Sequence, residues 1–240
     1  MKKKIEIIYE DDAIVIVNKP PFVLTIPDRY APEKFNVYHY LLRKYDEIYT
    51  VHRLDKETSG ILCFAKTPEI HKALSIQFQE RTLDKIYLTI IEGNMVVEEG
   101  IIDKPIAPSR ARQDKMVVSA KGKPSVTEYK VVERFQNFTL MEANIKTGRT
   151  HQIRVHFDAL GYPLMVDRVY GKREAFFVSE IKRKYNRPKN GVENPLIERT
   201  ILHAYSLSLN HPVTGERVTF KAPLPKDFRA VVAQLRKWNR

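Results

Sequence analysis

A single cysteine in 240 residues excludes an internal disulfide framework, and Cys63 lies inside an apolar run, so it reads as an inert buried thiol. Long hydrophobic stretches are also missing. The longest, residues 13–17 and 60–65, fall far short of the roughly 18 to 20 residues that cross a bilayer. Residues 1–4 start like a signal peptide, but Glu6 and Glu10-Asp11-Asp12 follow where an apolar stretch should be, which points to a cytoplasmic protein. No P-loop spacing and no dinucleotide glycine fingerprint occur, so no nucleotide cofactor is expected. His151 and His156 stand five apart, off a common helix face, and one cysteine cannot complete a ligand set, so no metal is expected either. Repeats, low-complexity tracts and clear linkers are lacking, which leaves one domain over 1–240.

What is present is positive charge. Lys plus Arg number 41 against 29 Asp plus Glu, a formal net charge of +12. A field of that sign favours polyanions, nucleic acid first.

Hydrophobic patterning gives the coarse architecture. Residues 4–10 and 13–17 read as strands joined by a turn at Glu10-Asp11-Asp12, and Pro20-Pro21 ends the second. A helix is expected over 35–45, a strand over 60–65, and a helix opened by Thr67-Pro68 with Ile70, Ala73, Leu74 and Phe78 as its apolar stripe. Residues 83–92, 126–133, 138–145, 202–209 and 216–220 read as strands, and 227–238 as a closing helix. Thr150 is the expected N-cap of a short helix with Ile153, Phe157 and Leu160 inward, stopped by Gly161 and Pro163. The count favours an α+β fold on a large mixed, mainly antiparallel sheet. Residues 172–199 lack a strand pattern, and 181–190 hold five basic residues and no acidic one. That segment reads either as a solvated surface excursion or as a basic arm on phosphates.

Two constellations could carry chemistry. His52-Arg53-Leu54-Asp55, followed by Thr58-Ser59-Gly60, mixes charge with an anchoring leucine, the pattern of a polar site held by buried neighbours. Asp55 there could be a nucleophile, a general base or simply a turn residue. Residues 147–156 place Arg149, His151, Gln152, Arg154 and His156 at a helix start, where an anion is favoured and where Arg154 could pair with a buried carboxylate. Tyr87 falls on the strand face opposite Ile86, Leu88 and Ile90, which are expected to point inward. It reads as a half-exposed sheet tyrosine or as a stacking surface for a base.

These motifs resemble those of the RluA-type pseudouridine synthases. His52-Arg53-Leu54-Asp55 with Thr58-Ser59-Gly60 is similar to that family's HRLD-x-x-TSG signature, and residues 148–156 to its GRTHQIRVH. Val17-Asn18-Lys19-Pro20, Lys85-Ile86-Tyr87, Leu202-His203-Ala204, His211-Pro212 and Thr214-Gly215 match further family motifs in order. Residues 24–29 look like the short subgroup without an S4-type RNA-binding domain.

The resemblance implies an α+β fold with a central RNA-binding cleft, and an enzyme that isomerises uridine to pseudouridine without cofactor or metal. It implies that Asp55 is the catalytic carboxylate, that Arg154 pairs with it, and that Tyr87 stacks on the uracil. Arg53 would enter the place of the flipped base, and His52, Lys85, Arg149, His151 and Gln152 would contact RNA. The expected substrate is a tRNA or large-subunit rRNA stem-loop, and the expected state a monomer. A non-catalytic RNA-binding or ribosome-assembly protein on the same fold is the alternative. A hydrolase of nucleoside bonds would want a second carboxylate that no motif supplies.

Overall fold

The computed structural model describes residues 4–186 and 191–239. In chain order its elements are β1 (Glu6–Glu10), β2 (Ile14–Lys19), α1 (Val37–Leu42), β3 (Tyr49–Thr50), β4 (Ser59–Ala65) and α2 (Pro68–Glu80). They continue with β5 (Asp84–Glu92), β6 (Glu99–Asp103), β7 (Ile106–Pro108), β8 (Met116–Val118), β9 (Val126–Arg134), β10 (Phe138–Ile145) and α3 (Gln152–Ala159). After a 3-10 turn at Val178–Glu180 come β11 (Leu202–Asn210), β12 (Arg217–Lys221) and α4 (Lys226–Trp238). The α+β class expected from the patterning is the one observed. Two compact units divide the chain: Met1–Ile86 with His203–Pro223, and Tyr87–Leu202 with Leu224–Arg240.

In the first unit the strands run in the order β1-β2-β4-β11, with β3 on β4 and β12 on β11. Antiparallel pairing dominates, and the parallel pairing of β4 with β11 makes the sheet mixed. The first turn is closed by Asp11, whose Oδ1 accepts from the backbone N–H of Ala13 and of Ile14, both at 2.8 Å. Helix α2 starts as its sequence dictates. Thr67 Oγ1 accepts from Ile70 N–H and Pro68 occupies the first turn, where a missing donor costs nothing. Its Leu74 packs on Ile14, Ile16, Ile61, Cys63 and Leu207. Burying a side chain of that size contributes about 1.5–3 kcal/mol. Cys63 is among them, its thiol pushed up to about 12 by burial, so it is the inert thiol expected.

In the second unit the order is β5-β10-β9-β6, and β7 and β8 form a separate hairpin. Strand β10 has the bounds that its alternation predicts. Two expectations are overturned here, and a third gains detail. Thr150 does not cap α3: His151 occupies the N-cap position with a left-handed backbone (φ 57°) and no side-chain cap bond, and Thr150 is exposed in the turn before it. Tyr87 is not half-exposed but 8% exposed, and with Lys85 and Thr89 it forms the more buried face of β5. A strand covered on both faces does not alternate as a half-solvated one does. The described residues of 172–199 are mostly exposed or half-buried, as a surface excursion would be, but the segment is anchored. Phe176, Ile181 and Ile197 are buried, Phe176 bridges Ile197, and Arg199 is buried in a two-pronged bond to Asp227 at 2.6 and 2.9 Å. Arg187 to Asn190, part of the basic run, and Met1 to Lys3 lie outside the described residues.

Candidate active site

In the first unit, three motifs distant in sequence meet on the loop that carries Asp55. Lys19 is fully buried, and its ammonium donates to the carbonyls of Pro20 (3.2 Å), Val23 (2.8 Å) and Lys56 (3.1 Å). A buried charge needs such partners, and these three carbonyl dipoles supply part of what it needs. Thr25 makes a second tie: its hydroxyl donates to Leu54 O and accepts from Leu54 N–H, each at 3.1 Å. Leu54 itself is buried. The positions on either side of Asp55 are therefore pinned through their backbones, while Asp55 is partly open and Arg53 is exposed. Thr58 N–H donates to Asp55 O at 3.1 Å and closes the turn.

The end of that loop enters β4 at Ser59-Gly60, opposite His203-Ala204 of β11. Gly60 adopts φ +113°, and a Cβ there would lie 2.1 Å from Ala204 O, so only glycine allows the two strands to close. His203, fully buried, donates from Nε2 to Ala222 O (3.2 Å), which leaves Nδ1 to accept from the Ser59 hydroxyl at 2.9 Å. His52 is equally fixed. Its Nε2 accepts from Cys63 N–H at 3.1 Å and its ring stacks on Phe78 with centroids 4.8 Å apart. Burial, helped by the Lys85 charge, lowers its pKa to about 3, so it is a neutral imidazole. Lys85 lies 5.6 Å above the Phe78 ring.

Phe22 stands out in the same unit. It has φ 62°, a region that bulky residues avoid at a cost of about 1–3 kcal/mol, and it is 44% exposed.

In the second unit, Arg154 is 7% exposed, and its Nε and Nη2 donate to the two oxygens of the fully buried Asp167 at 2.6 and 2.8 Å. Asp167 also accepts from the N–H groups of Val169 and Tyr170, at 2.9 and 3.1 Å, so one carboxylate orders the guanidinium and a turn together. The Tyr170 ring lies 5.0 Å from the Arg154 guanidinium, and its hydroxyl accepts from Met116 N–H and meets His151 Nδ1 at 3.0 Å. Gln152 is buried with its amide engaged by the protein: Nε2 donates to Val126 O and Thr127 Oγ1, and Oε1 accepts from the Thr147 hydroxyl and Arg149 N–H. It fixes the Gly148-Arg149-Thr150 turn. His156 is buried between Thr127 Oγ1 and Lys104 O, with its pKa lowered chiefly by burial. Arg149 is half-buried and reaches Pro124 O at 3.2 Å.

The sequence-predicted residues thus fall into two sets. His52, Arg53, Asp55 and Lys85 belong to the first unit, and Tyr87, Arg149, His151, Gln152 and Arg154 to the second. Sequence reasoning missed Asp167 and Tyr170. The only signal was the turn Asp167-Arg168-Val169-Tyr170-Gly171 ending a short apolar run, which many surface turns share. Among the described residues, no three His, Cys, Asp or Glu side chains cluster to hold a metal. No helix among them is long and apolar enough to cross a membrane.

Comparison with known proteins agrees with these motifs. The family model described as RNA pseudouridylate synthase matches residues 13–159. The chain is 36% identical to the ribosomal large subunit pseudouridine synthase D of Pasteurella multocida, over 97% of this chain and 71% of that protein. With the synthase D of Pseudomonas aeruginosa the identity is 38%, over 98% and 72%. Among solved structures, human RNA Pseudouridylate Synthase Domain Containing 1 superposes with a TM-score of 0.70 at 27% identity, covering 92% of this chain and 84% of that one. The match takes in both the loop of Asp55 and the helix of Arg154, and with it the chain belongs to the RNA pseudouridylate synthase family, enzymes that make pseudouridine in RNA.

Proposed function

We propose that this enzyme isomerises specific uridines in stem-loops of large-subunit ribosomal RNA, with Asp55 as its catalytic carboxylate. One observation carries the assignment of Asp55. The loop around it is tied at Leu54 by Thr25 and at Lys56 by Lys19, which leaves a partly open carboxylate on a backbone that cannot drift. Placement of this kind is what a reaction at one defined sugar carbon requires. The names of the relatives support ribosomal RNA as the substrate.

The chemistry balances without a co-reactant. The bond from uracil N1 to the sugar C1′ breaks, the base turns, a bond forms from C5 to C1′, and the C5 proton leaves while N1 gains one. Asp55 assists departure of the base either by adding to C1′ or by taking a sugar proton. The target uridine leaves its stack first, at a cost of a few kcal/mol. Exposed Arg53 takes the vacated position, and Tyr87 supplies a ring face and a hydroxyl for the uracil. Arg154 is the cation that the family motif assigns to the catalytic carboxylate. Gln152 acts by holding the turn of Arg149, and the basic side chains of Lys182, Arg183 and Lys184 meet phosphates. On this reading the enzyme is cytoplasmic, monomeric and independent of cofactors.

The test is pseudouridine mapping, by carbodiimide adduct and primer extension, in RNA from cells with and without the gene. A site in large-subunit rRNA should disappear on deletion and return with the wild type. Asp55→Asn should not restore it, with turnover down at least about a thousandfold and RNA binding within a few fold. A lost site in tRNA would move the substrate, and full activity of Asp55→Asn would sink the assignment.

A further inference from the structure

The chemistry proposed above uses none of the loop between β2 and Thr25, yet that loop holds an exposed aromatic residue with a left-handed backbone. Phe22 has a left-handed backbone at φ 62°, where glycine would sit without strain. Phe22 is 44% exposed and belongs to no aromatic pair among the described residues. Burial alone does not explain the conformation, because a large part of the residue stays open to solvent.

Rigidity and position do explain it. Pro20 O and Val23 O, on either side of Phe22, are bonded to the same Lys19 ammonium, which also holds Lys56 O. Phe22 therefore rides at the apex of a turn closed around Lys19, one hydrogen-bonded step from the residue that follows Asp55. The adjoining loop exposes two cations, Arg53 and Lys56, while its carboxylates Asp55 and Glu57 are half-buried. A single fixed aromatic face beside basic groups suits a nucleic-acid base rather than a protein, which would require a wider apolar surface.

We infer that Phe22 is a stacking platform for an unpaired nucleotide neighbouring the target uridine, and so a determinant of which RNA loop is accepted. This rests on the proposed action at Asp55 and adds a substrate contact to it. RNA loops are read largely through splayed bases stacked on such rings.

The experiment measures filter binding of radiolabelled stem-loop transcripts tiling the large-subunit ribosomal RNA, with thermal melts alongside. Phe22→Gly removes the ring and the strain together, and Phe22→Leu keeps the bulk but lacks a π-face. Both should weaken binding of the best transcript about tenfold, while Phe22→Trp stays within about twofold of wild type. Phe22→Gly should melt no lower than wild type, which separates lost contact from lost fold. Replacing the flanking nucleotide by an abasic one should weaken wild type and leave Phe22→Gly unchanged. Binding of Phe22→Gly and Phe22→Leu at wild-type strength would overturn the inference. Binding is read independently of turnover, so such a result would leave the assignment of Asp55 standing, and an active Asp55→Asn would not touch the binding result.

Discussion

The Asp55 loop and the Arg154 helix hold their charged residues by opposite means. Around Asp55 the ties run to the backbone: Thr25 to Leu54, Lys19 to Lys56, Thr58 to Asp55 itself. Arg154 is gripped through its own guanidinium by Asp167, in a fork whose carboxylate is fully buried. Backbone ties leave a side chain replaceable without damage to the scaffold. A buried ion pair does not, because removing either partner strands the other charge in a poor solvent.

The sharpest way to break this contrast is to remove one partner of the buried pair. Arg154→Met should destabilise the fold by about 3–5 kcal/mol, because Asp167 would then keep only backbone N–H donors for its charge. Adding Asp167→Leu should recover most of the loss, and thermal melts of the single and double variants measure it. A single variant within about 1 kcal/mol of wild type would remove the distinction between the two regions.

Lys19→Met comes next. It takes an ammonium from three carbonyls and should cost about 2–3 kcal/mol in denaturant unfolding. Turnover should fall by more than the folded fraction does, because Lys56 would lose its tie beside Asp55. Turnover that merely tracks the folded fraction would show that the loop keeps its place without Lys19.

The smallest effect concerns His52. In the fold its Nε2 faces the Cys63 N–H, so a proton there would set donor against donor, and its pKa is about 3 against an ordinary 6.5. The unfolded chain takes up that proton as pH falls below about 6.5 while the folded chain does not. Stability from this group is complete above that range and is lost progressively as pH drops toward 3. His52→Gln, whose amide oxygen can still accept from Cys63, should therefore lose less melting temperature than wild type between pH 7 and pH 4. Equal slopes would show that His52 titrates normally.

Legibility in the sequence follows the range of the forces involved. Local signals were plain: Thr67-Pro68 opens α2 where it should, and the alternation of 138–145 gives the bounds of β10. The loop of Asp55 stood out because Leu54 sits among charges. What holds that loop was hidden, since carbonyl oxygens that receive Lys19 carry no residue identity. Asp167 was missed for a similar reason, its partner being thirteen residues away in another element. Thr150 misled because it has the right hydroxyl in the wrong backbone, one residue before the left-handed His151. Residues 172–199 showed no strand pattern because their three anchors, Phe176, Ile181 and Ile197, follow no helical or strand period.

The bond between Ser59 and His203 joins residues 144 apart in the chain. During synthesis at roughly 5–20 residues per second, His203 arrives about seven to thirty seconds after Ser59. Until then β4 lacks its parallel neighbour and the Asp55 loop lacks one wall of its seat. A nascent chain therefore carries the whole HRLD motif well before the strand that completes its seat has been made.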